Sequence, residues 1–146
     1  RKVCAQLLSF CDTLTPNARV VENSSLTSHP GCFAQPWHAD TKYTSPKDAN
    51  LITFGIALDD LTDEMGPLEA YLGTNQIYKE HDALVKKWGR GDYGSMCAKL
   101  QYQKVTCACP KGSVIIWSSQ LVHRGGANVS KKPRPVYYFS LMGPGV

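Results

Sequence analysis

The 146-residue sequence has no apolar run near the roughly 20 residues that a membrane-spanning helix requires, so no membrane span is expected. Charge is also scarce, because only 19% of the residues are charged and 16 basic residues stand against 12 acidic ones. The basic residues are scattered, with no stripe interleaved with aromatic side chains, so no nucleic acid partner is expected. A hydrophobic content of 42% favours a packed globule over a disordered chain.

Cysteine is too sparse for a disulfide scaffold, since the chain has six cysteines in 146 residues. We therefore expect reduced thiols and an intracellular location, with no visible targeting segment. Cys107 and Cys109 form a Cys-x-Cys pair, but no further cysteine or histidine pair stands at zinc-finger spacing. These two cysteines are interpreted as small apolar residues at a strand end.

Glycine, proline and aromatic residues are plentiful, with 12 Gly, 9 Pro, 3 Trp, 7 Tyr and 4 Phe. In a chain the length of one ordinary domain, this mixture favours strands and turns over a helical bundle. Apolar periodicity predicts a helix at 3–14, within an outer helix and lead-in at 1–30. It predicts another helix at 77–88, followed by a mobile loop at the glycine-rich GRGDYG (89–94), within an insertion at 74–104. Strands are predicted at 51–58, 102–108, 113–117 and 136–141.

Only four histidines are present, and His38 lies two residues before Asp40 in the sequence Pro-Trp-His-Ala-Asp. Side chains alternate along a strand, so His38 and Asp40 would face the same side with their Cα atoms roughly 6.5–7 Å apart. Both could then bind one metal ion from that side. Taken alone, the pair is more simply explained as a surface histidine beside a solvated aspartate.

The second candidate ligand segment contains His123, which follows an apolar strand and precedes a Gly-Gly turn. Two histidines and one carboxylate form the facial triad of non-haem Fe(II) oxygenases, which leaves three coordination positions open. Arg134 lies 11 residues beyond His123, at the start of another apolar strand. A guanidinium can hold a carboxylate through two charge-assisted hydrogen bonds, and the far carboxylate of 2-oxoglutarate needs such a partner.

The sequence resembles the phytanoyl-CoA dioxygenase-like branch of the Fe(II)/2-oxoglutarate oxygenases. The resemblance rests on PWHAD at 36–40, ITFGIALDDLTDEMGPL at 52–68 and GSVIIWSSQLVHRGGANVS at 112–130, with Arg134 beyond. It implies a mainly β fold, a double-stranded β-helix (a cupin-like jelly roll) with peripheral helices, in one domain of residues 1–146. It also implies that Fe(II), 2-oxoglutarate and O2 serve to hydroxylate a small-molecule or lipid-like substrate, with succinate and CO2 as co-products.

Carried over residue by residue, the resemblance makes His38, Asp40 and His123 the iron ligands and Arg134 the 2-oxoglutarate anchor. The sequence departs from the family at 72–75, where Leu-Gly-Thr-Asn stands in place of the common Pro-Gly-Ser-His. The missing histidine is not an expected iron ligand, so this departure bears on substrate contacts. The chain also has less sequence before its first motif than most members of the family.

Four more residues are candidates for the pocket. Thr53 is a candidate second partner of the 2-oxoglutarate carboxylates, or equally a strand residue with a satisfied hydroxyl. Ser140 shares alternation parity with Arg134, so it is also a candidate for the cosubstrate pocket. Trp37 and Trp117 are candidates for the walls of the substrate pocket, although core packing is the expected role of at least one of them.

The other two histidines are expected to be solvated, His29 in a loop and His81 in the 77–88 helix, which could form a lid. Arg124 is expected to be an exposed turn residue, with contact to an acidic substrate as the alternative. Two other functions remain open. A metal-binding jelly-roll hydrolase or isomerase that uses no redox cosubstrate would have no need of Arg134. A non-catalytic binding module on the same fold would be expected to have lost a ligand, whereas all three candidate ligands are present.

Overall fold

The computed structural model describes residues 2–41, 51–75 and 93–144, and its strands form two antiparallel sheets. In chain order the elements are α1 (Lys2–Leu14), β1 (Arg19–Ser28), β2 (Leu51–Ala57), a 3-10 turn (Asp63–Met65), β3 (Leu68–Tyr71), α2 (Tyr93–Lys99), β4 (Lys104–Thr106), β5 (Val114–Ser118), β6 (His123–Gly125) and β7 (Arg134–Met142). The larger sheet has the strand order β1-β7-β2-β5, and the smaller sheet has the order β4-β3-β6. Side chains from both sheets line one cavity, so the fold is the predicted jelly roll with peripheral helices.

The apolar sequence of β2 reflects burial on both faces of the larger sheet. On the outer face, Phe54 is fully buried and stacks on Phe139 of β7 with the ring centroids 4.8 Å apart. Helix α1 covers this face and packs Cys11 against it. The inner face carries Thr53 and Gly55, which line the cavity. A strand whose sequence is typical of the core therefore also supplies residues to the cavity.

The outer face of the smaller sheet is covered by α2. Tyr71, Met96, Cys97 and Val122 form the buried core there. Burial raises the pKa of Cys97 to about 12, so its thiol stays protonated. Trp37 packs against this core, with its ring centroid 4.5 Å from that of Tyr71. The packing of Trp37 on the outer face of the smaller sheet anchors the chain segment whose next residue, His38, faces the cavity.

The largest difference from the predicted elements is β1. β1 is an edge strand of the larger sheet, and every one of its residues before Ser28 is exposed. An edge strand of this kind has no buried face to produce an apolar alternation, so the sequence indicated only a polar lead-in. The predicted strand at 102–108 is also shorter, since β4 pairs with β3 only from Lys104 to Thr106.

Helix α2 is a second difference, because the glycine-rich sequence at 89–94 indicated a loop. Met96 and Cys97 bury against the smaller sheet, and this tertiary packing outweighs weak local propensity. The predicted helix at 77–88 and His81 lie outside the described residues. Residues 36–41 form no regular strand either, and His38 makes only an isolated bridge to β6.

The cysteines whose side chains the structure describes are free thiols: Cys11, Cys32, Cys97, Cys107 and Cys109. Burial raises the pKa of Cys107, and the neighbouring Cys109 adds to this effect. Within the described parts of the chain, no helix is both long and apolar enough to cross a membrane.

Candidate metal centre

The three predicted metal ligands meet where the segment after Gln35 crosses the start of β6. The His38 N–H donates to the carbonyl oxygen of His123 over 3.0 Å, and the His123 N–H donates to that of His38 over 2.8 Å. This reciprocal pair fixes the two histidines opposite each other, and Asp40 follows on the same segment. The ligand atoms of the three side chains lie within 4.8 Å of one another.

Both imidazoles present the same nitrogen to Asp40. Nδ1 of His38 lies 2.8 Å from the carbonyl oxygen of Pro36. Nδ1 of His123 lies 2.8 Å from the carbonyl oxygen of Leu121. A carbonyl oxygen only accepts, so each Nδ1 carries the proton and donates it, which leaves the Nε2 lone pair free in the neutral ring. The two Nε2 atoms lie 3.7 Å (His38) and 3.6 Å (His123) from Oδ1 of Asp40.

This donor set fits a divalent transition metal such as iron. Two neutral imidazole nitrogens and one carboxylate oxygen are the ligands of a facial triad. An ion about 2.1 Å from two donor atoms separates those atoms by about 3 to 4 Å, so small side-chain rotations suffice to close the triad on an ion. The triad lines the cavity, so an ion held by these residues would be accessible to ligands from the cavity.

The protonation state of His123 also suits a metal ligand. Burial lowers the pKa of His123, and the attraction of Asp40 only partly offsets this effect. The neighbouring imidazole of His38 lowers it further. Only the neutral imidazole can donate its lone pair to a metal, so burial favours the form that binds.

The second carboxylate oxygen of Asp40 is held by Trp117 of β5. The indole Nε1–H of Trp117 donates to Oδ2 of Asp40 over 3.3 Å. The same ring lies 5.6 Å from the imidazole of His123, measured between centroids. The carboxylate thus directs Oδ1 toward the histidines and Oδ2 toward the indole, which favours coordination through one oxygen.

We predict that Trp117→Phe lowers the Fe(II) affinity about tenfold, because a lost outer-shell hydrogen bond typically lowers metal affinity by roughly 10–100-fold. Tyr137→Phe is the matched control, since it also removes one hydrogen bond from an aromatic side chain, that from the Tyr137 hydroxyl to Oδ1 of Asn23, and Tyr137 does not line the cavity. Anaerobic competition against a coloured Fe(II) chelator measures both affinities. An unchanged affinity in Trp117→Phe would show that the indole does not orient Asp40.

Arg134 is a buried cation at the start of β7, with 6% of its surface exposed. Its Nη1 donates to the carbonyl oxygens of Met65 and Gly126 over 3.3 and 3.5 Å, both of them long hydrogen bonds. Within the described part of the chain, no carboxylate forms an ion pair with it. Burial lowers the pKa of Arg134, and a buried charge without a counter-ion is costly. The surroundings of Arg134 therefore suit an anionic ligand, and one carboxylate of 2-oxoglutarate fits.

The triad and Arg134 line the same cavity, which has a volume of about 250 Å³. Its apolar walls come from both sheets and from the turns between them: Leu26, Leu61, Leu68, Ile115 and Val136. Gln35 also lines the cavity, and its Oε1 accepts from the Gly125 N–H over 2.8 Å. A Cβ on Gly125 would lie 3.0 Å from Nη2 of Arg134 and 3.1 Å from Oε1 of Gln35, so Gln35 stands beside the guanidinium. The sequence held no signal for Gln35, because a glutamine before a proline belongs to no pattern.

Thr53 and Ser140 lie together, but away from Arg134. Their hydroxyl oxygens are 2.9 Å apart, and Ser140 also lies within 3.2 Å of Oε2 of Glu22 on β1. Ser140 is six residues along β7 from Arg134, which separates the two Cα atoms by roughly 20 Å. Shared parity places both side chains on the inner face of the sheet but at different ends of the cavity.

The two candidate tryptophans lie in different parts of the fold. Trp117 lines the cavity, whereas Trp37 belongs to the core outside the smaller sheet.

The prediction that Arg124 is a solvated turn residue is wrong. Alternation along β6 turns its guanidinium to the outer face, 4.5 Å over the Trp37 ring and with Nε 2.6 Å from Oε2 of Glu69. His29 is exposed in a loop, as expected.

Glu69 and Lys104 lie with Arg124 and Trp37 on the outer face of the smaller sheet, and these four residues form the outer cluster. Burial raises the pKa of Glu69, but hydrogen bonds from Lys104 and Arg124 outweigh burial and lower it overall. Lys104 Nζ lies 2.9 Å from Oε1 of the same carboxylate. Arg124 is adjacent to His123, so the outer cluster contributes to holding β6 in place.

A sequence model of the family described as "Phytanoyl-CoA dioxygenase (PhyH)" matches residues 2–136. The chain belongs to the phytanoyl-CoA dioxygenase family. The match covers both ligand segments and Arg134. No curated protein gives a significant match to the sequence.

Solved structures with the same fold include EvdMO1, with a TM-score of 0.73, 20% identity and coverage of 94% of this chain and 30% of that one. SnoN, a non-heme alpha ketoglutarate dependent epimerase from nogalamycin biosynthesis, gives a TM-score of 0.71, 17% identity and coverage of 94% and 52%. SnoK, a carbocyclase dependent on the same cosubstrate, gives a TM-score of 0.71, 21% identity and coverage of 88% and 54%. This member of the phytanoyl-CoA dioxygenase family thus spans between 30% and 54% of their length.

Proposed function

We propose that the protein is an Fe(II)- and 2-oxoglutarate-dependent dioxygenase that hydroxylates a small organic substrate. The observation that carries this proposal is the pairing, in one cavity, of a His-Asp-His triad with a buried arginine that has no counter-ion in the described part of the chain. A triad alone fits many metals and reactions. The arginine adds a binding site for the far carboxylate of a dicarboxylic cosubstrate.

His38, Asp40 and His123 would hold iron through two Nε2 atoms and one carboxylate oxygen. When bound, iron and 2-oxoglutarate supply an oxidation driven by O2, with succinate and CO2 as co-products. The hydrogen bonds from Nδ1 to backbone carbonyls keep both imidazoles in the tautomer that ligates. Trp117 keeps Asp40 from turning away from the triad.

Arg134 would bind and orient 2-oxoglutarate. Arg134 lies at the start of β7, and its guanidinium is buried. Burial strengthens the attraction of the guanidinium for a carboxylate. Leu68 and Val136 line the cavity alongside it and suit the methylene groups of the cosubstrate. Gln35 stands beside the guanidinium and narrows the space around the carboxylate.

Hydroxylation is one of several outcomes for such a site, since SnoN is an epimerase and SnoK a carbocyclase. The non-redox hydrolase or isomerase is the weaker alternative, because it gives Arg134 no role. An intracellular location and a single domain over residues 1–146 stay predictions from the sequence.

Succinate formation tests this proposal. We expect purified protein to convert 2-oxoglutarate to succinate slowly without substrate, in a reaction that needs both added Fe(II) and O2. In a panel of candidate substrates, a true substrate should accelerate this conversion, and ¹⁸O2 should label the hydroxylated product. Succinate formation that persists without iron would contradict the proposal. An unlabelled product of changed configuration would assign an epimerase instead of a hydroxylase.

A further inference from the structure

A row of polar side chains crosses the inner face of the larger sheet at the level of Trp117. In the register of the sheet, Glu22 pairs with Ser140, Ser140 with Thr53, and Thr53 with Trp117. Oγ of Ser140 lies 3.2 Å from Oε2 of Glu22 and 2.9 Å from Oγ1 of Thr53. The row ends at the indole that donates to Asp40, so it lies beside the metal centre and not beside Arg134.

Glu22 reaches the inner face because of an irregularity in β1. Val20 pairs with Leu141 and Glu22 pairs with Ser140, so Val21 is an extra residue opposite no partner. Without this bulge, side-chain alternation would turn Glu22 to the outer face of the sheet. Bulges of this kind re-aim side chains and occur frequently beside active sites. The bulge therefore has a definite effect, which is to place a carboxylate in the cavity.

The Glu22 carboxylate is an acceptor at the mouth of the cavity. Glu22 lines the cavity and is exposed, and within the described residues it forms no ion pair with a lysine, arginine or histidine. The Ser140 hydroxyl donates one hydrogen bond to Oε2, and the exposure of Glu22 leaves the carboxylate accessible to a ligand. A ligand group that donates hydrogen bonds and carries positive charge complements this carboxylate, whereas a second carboxylate or a phosphate would be repelled.

We infer that Glu22, supported by Ser140 and Thr53, is a substrate subsite that selects a compound carrying an ammonium or similar cationic group over an anionic acid. This inference rests on the proposed function, because the subsite is defined by its position relative to the metal centre. Glu22 and Trp117 are three strand spacings apart, about 14 Å along the curved sheet. The cationic group of the substrate therefore lies several bonds from the carbon that is oxidised.

Charge preference in ligand binding tests the subsite. Protein holding Fe(II) and 2-oxoglutarate is titrated anaerobically, so that no turnover occurs, with three probes of equal length: hexylammonium, hexan-1-ol and hexanoate. Calorimetry should show hexylammonium binding roughly tenfold more tightly than hexanoate, the difference expected for a hydrogen bond to a charged group. Hexan-1-ol should lie between them.

Two substitutions at Glu22 sharpen this test. Glu22→Gln keeps the size and removes the charge, so the preference for hexylammonium over hexanoate should disappear. Glu22→Lys should reverse the preference. Glu64→Gln is the matched control, because Glu64 is exposed on the 3-10 turn and does not line the cavity, and it should keep the wild-type order.

The outcomes separate this inference from the proposed function. Equal binding of hexylammonium and hexanoate to the wild type, or no detectable binding of hexylammonium, would overturn the subsite. A preference that survives Glu22→Gln would overturn it as well. Binding of Fe(II) and 2-oxoglutarate, measured first in the same sample, reports on the proposed function independently of any probe.

Discussion

Asp40→Ala will lower the affinity of the protein for Fe(II) by at least ~100-fold, beyond the roughly 10–100-fold effect of losing an outer-shell partner. The reason is that Asp40 supplies the only carboxylate oxygen near both Nε2 atoms of the triad among the described residues. Two neutral imidazoles remain, and they hold Fe(II) weakly without an anionic ligand. Anaerobic titration with a competing chelator gives the affinity, and succinate formation should be lost in parallel.

Asp12→Ala is the control for this experiment, because Asp12 is an exposed aspartate on α1 outside the cavity. It should bind Fe(II) as the wild type does. Thermal unfolding of both variants separates the loss of a ligand from the loss of the fold. Wild-type Fe(II) affinity in Asp40→Ala would remove Asp40 from the ligand set.

Arg134→Lys will raise the dissociation constant of 2-oxoglutarate about 10–100-fold, although the positive charge is kept. Lysine cannot form the two parallel hydrogen bonds of a guanidinium, and a hydrogen bond to a charged group is worth about 1.5–3 kcal/mol. The shorter reach into a buried position adds to the loss. Equilibrium binding of 2-oxoglutarate to the Fe(II)-loaded protein without O2 measures the change.

Arg19→Lys is the matched control, since Arg19 lies on the exposed edge strand β1 and makes one weak contact to the Met142 sulfur. Its 2-oxoglutarate affinity should equal that of the wild type. Measuring Fe(II) affinity in the absence of 2-oxoglutarate separates a lost anchor from a disturbed metal centre. Equal affinity for 2-oxoglutarate in Arg134→Lys and the wild type would place the anchor elsewhere.

The prediction that the triad and Arg134 share one site came from the resemblance to the family, since the His38 and Asp40 pair alone is ambiguous. The structure places these four side chains on one cavity. The sequence analysis expected strand alternation to align His38 and Asp40, but the structure positions them in another way. His38 and Asp40 lie on an irregular segment, and the reciprocal backbone hydrogen bonds between His38 and His123 position the site.

The remaining features depend on strand register, which the sequence does not reveal. Parity alone placed Ser140 with Arg134, but the register places it beside Thr53 and Glu22. The position of Glu22 in the cavity could not be predicted, because β1 has no apolar pattern and a bulge determines the direction of the Glu22 side chain. Arg124 was misassigned because Trp37 and Glu69, its partners, are distant in the sequence.

The most direct test of the account is the absorption spectrum of the protein with Fe(II) and 2-oxoglutarate in the absence of O2. If the triad holds iron and the cosubstrate chelates it while Arg134 binds the far carboxylate, a weak visible charge-transfer band near ~500 nm will appear when both are present. Fe(II) alone or 2-oxoglutarate alone will give no band, and Asp40→Ala will give none with both. A wild-type protein that is folded and saturated with Fe(II) yet shows no band upon addition of 2-oxoglutarate would contradict the account.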